Sequence, residues 1–128
     1  MSDLTVFLVE DNALIRAQLI PALHDLVSAQ VLAAVESENE AVEWLALHKG
    51  RWDLAVVDLF LKQGNGIGVV SWTCGRNSNQ KVVVLTNYAT PEMRTRCLHS
   101  GADAVFDKST ELDQFFEFCK RLDATRPP

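Results

Sequence analysis

Five short apolar runs, at residues 4–9, 30–35, 54–57, 81–85 and 104–106, alternate with segments whose apolar residues recur at helical spacing. Runs this short and this apolar read as strands buried on both faces. Strands separated by helices need crossover connections, so the sheet is expected to be parallel with helices on both faces. Ligands of such sheets bind beyond the carboxyl ends of the strands, where the strand order switches.

The helical segments carry their own start and stop signals. Asn12 caps a helix expected over 13–26, with Leu14, Leu19, Ile20, Leu23 and Leu26 as core residues. Pro21 inside it should kink or break that helix. Ser37 and Glu40 form a capping box ahead of Ala41, Val42, Trp44, Leu45 and Leu47, and Lys49-Gly50 closes this second helix. Gln63 to Gly66 reads as a loop, followed by a short helix over 67–75. Pro91 suits the first turn of a helix over 91–100 that Gly101 ends. Ser109 or Thr110 should cap a last helix reaching about Leu122. The 128 residues fit one domain, assigned to 1–123, with 124–128 as a tail or the stub of a linker.

The formal net charge of −5 argues against direct nucleic-acid binding, which favours basic patches. No run approaches the ~18 apolar residues of a membrane span, and Met1-Ser2-Asp3 opens no secretory signal. The three cysteines, Cys74, Cys97 and Cys119, form no C-x-x-C and are expected as reduced thiols in the cytoplasm. His24, His48 and His99 fall on helical segments as surface residues; Trp44 reads as core, and Trp52 and Trp72 as partly buried packing residues.

What distinguishes the chain is where its apolar runs end. Glu10 and Asp11 end the first and Asp58 the third; Thr86 follows the fourth and Lys108 the fifth. Carboxylates brought to one sheet edge repel unless a cation joins them. Hard oxygen ligands in small number suit Mg²⁺, with Mn²⁺ as the alternative ion. One carboxylate can act as a nucleophile toward a phosphoryl group, and a hydroxyl and an ammonium can bind its oxygens.

With Glu10-Asp11, Asp58, Gly66, Thr86 and Lys108 in this order, the chain resembles the receiver domain of two-component response regulators over residues 4 to about 122. The resemblance implies a doubly wound, flavodoxin-like five-stranded sheet of order 2-1-3-4-5. It implies that Asp58 accepts a phosphoryl group from a sensor histidine kinase or a histidine phosphotransfer protein, without external turnover. Glu10, Asp11, Asp58 and the main-chain carbonyl of Phe60 would hold Mg²⁺. Thr86 and Lys108 would bind the phosphoryl group, and Thr86 with Phe106 would form the switch. The output would pass through the fifth strand and last two helices to a downstream effector or output domain, with a homodimer through that face as a further expectation.

Three departures stand around the site. Ser109 follows Lys108 where the family often has a proline in a cis bond, and a trans bond is expected here. Lys62 also stands where proline is frequent, which should loosen its loop. Phe60 and Tyr88, two residues after Asp58 and Thr86, occupy positions that tune dephosphorylation in the family. Two rival functions remain open at this level: an Mg²⁺-dependent aspartyl phosphohydrolase, which would want an acid where Phe60 stands, and a phosphorylation-independent binding module.

Overall fold

Successive residues of a strand point to opposite faces, so a run without polar residues requires both faces to be covered. The computed structural model, which describes residues 3–126, meets that requirement. The strands are β1 (Leu4–Val9), β2 (Ala29–Val35), β3 (Leu54–Val57), β4 (Lys81–Thr86) and β5 (Ala104–Asp107). They form one parallel sheet in the order β2-β1-β3-β4-β5. The helices are α1 (Ala13–Val27), α2 (Glu38–Leu47), α3 (Gly66–Trp72), α4 (Pro91–His99) and α5 (Leu112–Thr125), with a 3-10 turn at Thr73–Gly75.

Leu4, Val6 and Leu8 of β1 face a core completed by Leu19, Leu23 and Val27 of α1 and by Phe115 and Cys119 of α5. Phe7 and Val9 face the opposite core, with Ala41 and Leu45 of α2, Val69 and Val70 of α3 and Cys97 of α4. The fold is therefore doubly wound, with α1 and α5 on one face and the other three helices on the other. The order changes direction at β1 and β3, which places the carboxyl ends of these two strands side by side.

Several expectations need correction. α1 runs unbroken through Pro21, which lies with Ala17, the residue whose carbonyl loses its partner, on the exposed side of the helix. Leu14 and Leu26 are exposed, because the inward stripe of α1 is Leu19, Leu23 and Val27 at four-residue intervals. α2 ends at Leu47, with the His48 N–H donating to the Leu45 carbonyl, ahead of Lys49 and Gly50. Neither Ser109 nor Thr110 caps α5: both N–H groups donate to Asp107 Oδ1, and Glu111 takes the cap position. α5 itself continues to Thr125. Trp44 is half-buried, stacked on Phe7 at 4.2 Å, and Trp72 is exposed. Among the described residues there is no cis peptide bond, so Lys108-Ser109 is trans, and no helix is long and apolar enough to cross a membrane. Pro127 and Pro128, the end of the expected tail, lie outside the described residues.

Candidate functional site

The pairing of β1 with β3 sets Val9 opposite Val57, so the residues that follow each strand meet at one edge. Glu10, Asp11 and Asp58 converge there, and one carboxylate oxygen of each lies within 4.8 Å of the others. Glu10 is 2% and Asp58 9% exposed, so neither charge is well hydrated. Lys108, delivered by β5, offsets them: its Nζ donates to Glu10 Oε1 and stands 3.4 Å from Asp58 Oδ1. The Asp58 carboxyl is nevertheless pushed up to about 6. Burial is the largest cause; the Lys108 ammonium pulls the other way, and Glu10 and Asp11 add to the rise.

Backbone donors hold the acids in place. The Asn12 N–H donates to Glu10 Oε2 at 3.2 Å, and Asn12 Oδ1 caps α1 through the N–H groups of Leu14 and Ile15. Arg16 donates to the Glu10 carbonyl at 2.6 Å and pairs with Glu36 at 2.8 Å. The Lys62 N–H donates to Asp11 Oδ2 at 2.6 Å. That bond gives the loop an anchor that a proline at this place, having no N–H, could not supply. Gly66 passes beneath Asp58: a Cβ there would stand 2.1 Å from the Asp58 carbonyl oxygen.

The remaining expected residues surround the acids. Thr86 is fully buried at the end of β4, and its Oγ1 accepts the Tyr88 N–H at 3.1 Å. The Lys108 N–H donates to the Thr86 carbonyl, which ties the two residues across the sheet. Phe106 is half-buried, its ring 5.9 Å from Phe115 and 5.8 Å from Phe118, turned toward α5. Phe60 and Tyr88, 53% and 59% exposed, meet edge to face at 4.6 Å. Ser109 Oγ bonds Asn87 Oδ1 at 3.1 Å, linking the segments after β4 and β5.

Arg16 and the Lys62 N–H had no signal in the sequence. An arginine in the first turns of a helix is ordinarily solvated, and a main-chain donor is blind to side-chain identity. The donor set, three carboxylates with few other ligands, fits a hard divalent cation such as Mg²⁺, and Lys108 supplies the balancing charge among these residues.

Comparison with known proteins agrees with this fold. The chain is 32% identical over 109 residues to the virulence transcriptional regulatory protein PhoP of Salmonella typhimurium, covering 85% of this chain and 47% of that one. It therefore spans about half the length of that relative. The BeF3-activated N-terminal receiver domain of Klebsiella pneumoniae RstA superimposes with a TM-score of 0.81 at 20% identity, covering 95% of this chain and 99% of that one. The receiver domain of sensor histidine kinase PA1611 from Pseudomonas aeruginosa, with a magnesium ion coordinated in its active site cleft, gives 0.78 at 20% identity, covering 97% and 100%. Residues 6–120 match the family model of the response regulator receiver domain, and the chain belongs to that family of two-component signalling proteins.

Proposed function

We propose that this receiver is a phosphoacceptor whose nucleophile is Asp58. The observation that carries the reading is the buried Asp58 carboxylate, set among Glu10, Asp11 and the Lys108 ammonium at the carboxyl ends of β1, β3 and β5. An Asp58 carboxylate oxygen attacks the phosphorus of a phosphohistidine on a sensor kinase or phosphotransfer protein. The O–P bond forms as the P–N bond breaks, and the imidazole leaves with a proton. Glu10, Asp11, Asp58 and the Phe60 carbonyl would hold Mg²⁺, or Mn²⁺ in its place, and the bound ion neutralises phosphoryl oxygens. Lys108 transfers part of its pairing from Glu10 to the new phosphoryl oxygens, and the Thr86 hydroxyl turns from the Tyr88 N–H to reach another. That turn vacates space toward which Phe106 can rotate, so β5, α4 and α5 carry the output. The domain, expected to close at residue 123, includes the end of α5 at Thr125, and its output passes to an output domain or to a separate effector; a homodimer through α4 and α5 is one form of output. The site performs one self-catalysed transfer and its hydrolysis, in the cytoplasm, and needs no nucleic acid or membrane.

Beryllofluoride, a phosphoryl mimic, tests the reading. With Mg²⁺ it should raise the melting temperature of the wild type and leave Asp58→Ala unchanged. Equal behaviour of the two proteins would favour a binding module that ignores phosphate.

The aromatic pair sets the lifetime of the signal. Phe60 and Tyr88 follow Asp58 and Thr86 by two residues and their rings meet edge to face, a pair that would obstruct the attacking water. Phe60→Asn and Tyr88→Ala should each speed loss of the phosphoryl group several-fold, followed by ³²P decay in Mg²⁺ buffer. Unchanged decay in both variants would remove the aromatic pair from the account.

A further inference from the structure

The loop that follows Asp58 is held from outside the acidic pocket by one side chain, Glu38, at the start of α2. Glu38 Oε1 accepts the Asn65 N–H at 2.8 Å, and the Glu38 N–H donates to the Gln63 carbonyl at 3.2 Å. Ser37 forms an isolated parallel bridge with Gln63 beside it. The carboxylate lies in a cradle of two glycines. A Cβ on Gly64 would fall 2.3 Å from Glu38 Cβ, and one on Gly68 would fall 2.2 Å from Glu38 Oε2. Gly64 also has φ +92°, in the region where side chains are strained. Both glycines thus leave room that Glu38 fills.

The far side of the same loop touches the pocket. Asn65 forms an antiparallel bridge with Phe60, whose carbonyl is the main-chain ligand in the reading above. The Lys62 N–H between them binds Asp11 Oδ2, and the Gly66 N–H donates to the Leu59 carbonyl. The path from Glu38 to the acids is short: carboxylate to Asn65, Asn65 to Phe60, and the intervening turn to Asp11.

We propose that Glu38 is a positioning residue for the acidic pocket, fixing the loop 60–65 so that the Phe60 carbonyl and the Asp11 carboxylate are preorganised for a divalent cation. This inference rests on the receiver reading for the identity of the pocket. It concerns geometry and not charge, so glutamine, which keeps an acceptor oxygen for the Asn65 N–H, should serve in place of glutamate.

The test is Mg²⁺ titration by calorimetry together with amide hydrogen exchange of the metal-free protein. Glu38→Ala should weaken Mg²⁺ binding about tenfold, the lower end of what outer partners of metal ligands contribute. Its Asn65 and Lys62 amides should exchange faster, while Glu38→Gln matches the wild type in both readouts. Gly68→Ala supplies a second route, because its Cβ displaces the end of a flexible side chain; it should reproduce the Glu38→Ala defect without removing the carboxylate. Wild-type affinity in both Glu38→Ala and Gly68→Ala would overturn the proposal. So would equal losses in Glu38→Ala and Glu38→Gln, which would show that the charge matters and the hydrogen bond does not. If the wild type bound no Mg²⁺, the reading of the pocket as a cation site would fail, while unchanged amide exchange in Glu38→Ala would separately refute the hold of Glu38 on the loop.

Discussion

Asp58→Asn is expected to make the metal-free protein more stable than the wild type at neutral pH, by on the order of 2–3 kcal/mol. The native carboxyl titrates near pH 6 against an ordinary value of 3.8. A gap of that size corresponds to about 3 kcal/mol between the two protonation states. The sign follows from which state binds the proton. Between about pH 4 and 6 the folded protein holds a proton at Asp58 that the unfolded chain has released, so wild-type stability falls as pH rises through that window. Above about pH 6 both states are ionised, and the full penalty of a buried charge beside Glu10 and Asp11 is present. Asparagine is close to aspartate in shape, keeps an acceptor for Lys108 and carries no charge. Urea unfolding in the presence of a chelator should therefore show the variant ahead at pH 7.5 and the gap nearly closed at pH 4. A variant less stable than the wild type at pH 7.5 would mean that Lys108 already outweighs the burial of Asp58. Mg²⁺ at 100 times its Kd should close most of the gap, since it stabilises the wild type by about 2.7 kcal/mol and the variant lacks one of the acids proposed to hold the ion.

Gly66→Ala is expected to be the most damaging single methyl in the protein, costing about 3 kcal/mol or more of stability. The new Cβ would stand 2.1 Å from the Asp58 carbonyl oxygen and 2.7 Å from Leu59 Cα. These are backbone atoms at the end of a buried strand, so relief requires moving the main chain and not a side-chain rotamer. The displaced residue would be the one that carries the proposed chemistry, so Mg²⁺ affinity should fall with stability. Gly75→Ala is the control: nothing lies within 4 Å of its Cβ, and the same added methyl should change stability by less than about 0.5 kcal/mol. Equal unfolding midpoints for the two variants would contradict the close approach.

The strands and the acidic edge were readable because both follow from periodicity. An apolar run without alternation must be buried on both sides, and an acid directly after such a run must lie at a strand's carboxyl end. β3 matches its expected bounds, and Glu10, Asp11, Asp58 and Lys108 meet as the order of the runs implied. What stayed hidden depends on partners distant in the chain. Leu14 and Leu26 fit a helical stripe by spacing, yet only the position of the sheet decides which stripe faces inward. Lys62 looked like the loss of a stiffening proline, whereas its value is an N–H aimed at Asp11 across a gap of 51 positions. Glu38 carried no reading of its own within the capping box of Ser37 and Glu40; nothing local announces that Gly64 and Gly68 leave a space of its size. Lys108-Ser109 is trans as expected, but Ser109 does not cap α5: the Asp107 carboxylate takes its N–H and that of Thr110, and Glu111 holds the cap position.

The proposed phosphoacceptor role of Asp58 requires a new O–P bond at its carboxylate. The direct measurement is incubation with acetyl phosphate and Mg²⁺, borohydride reduction of any acyl phosphate, and mass spectrometry of the peptides. One phosphoryl group per chain before reduction, dependent on Mg²⁺, and homoserine in place of Asp58 after it, both absent from Asp58→Asn, are the expected result. Modification at a different residue, equal uptake by Asp58→Asn, or no uptake by folded wild-type protein would contradict it.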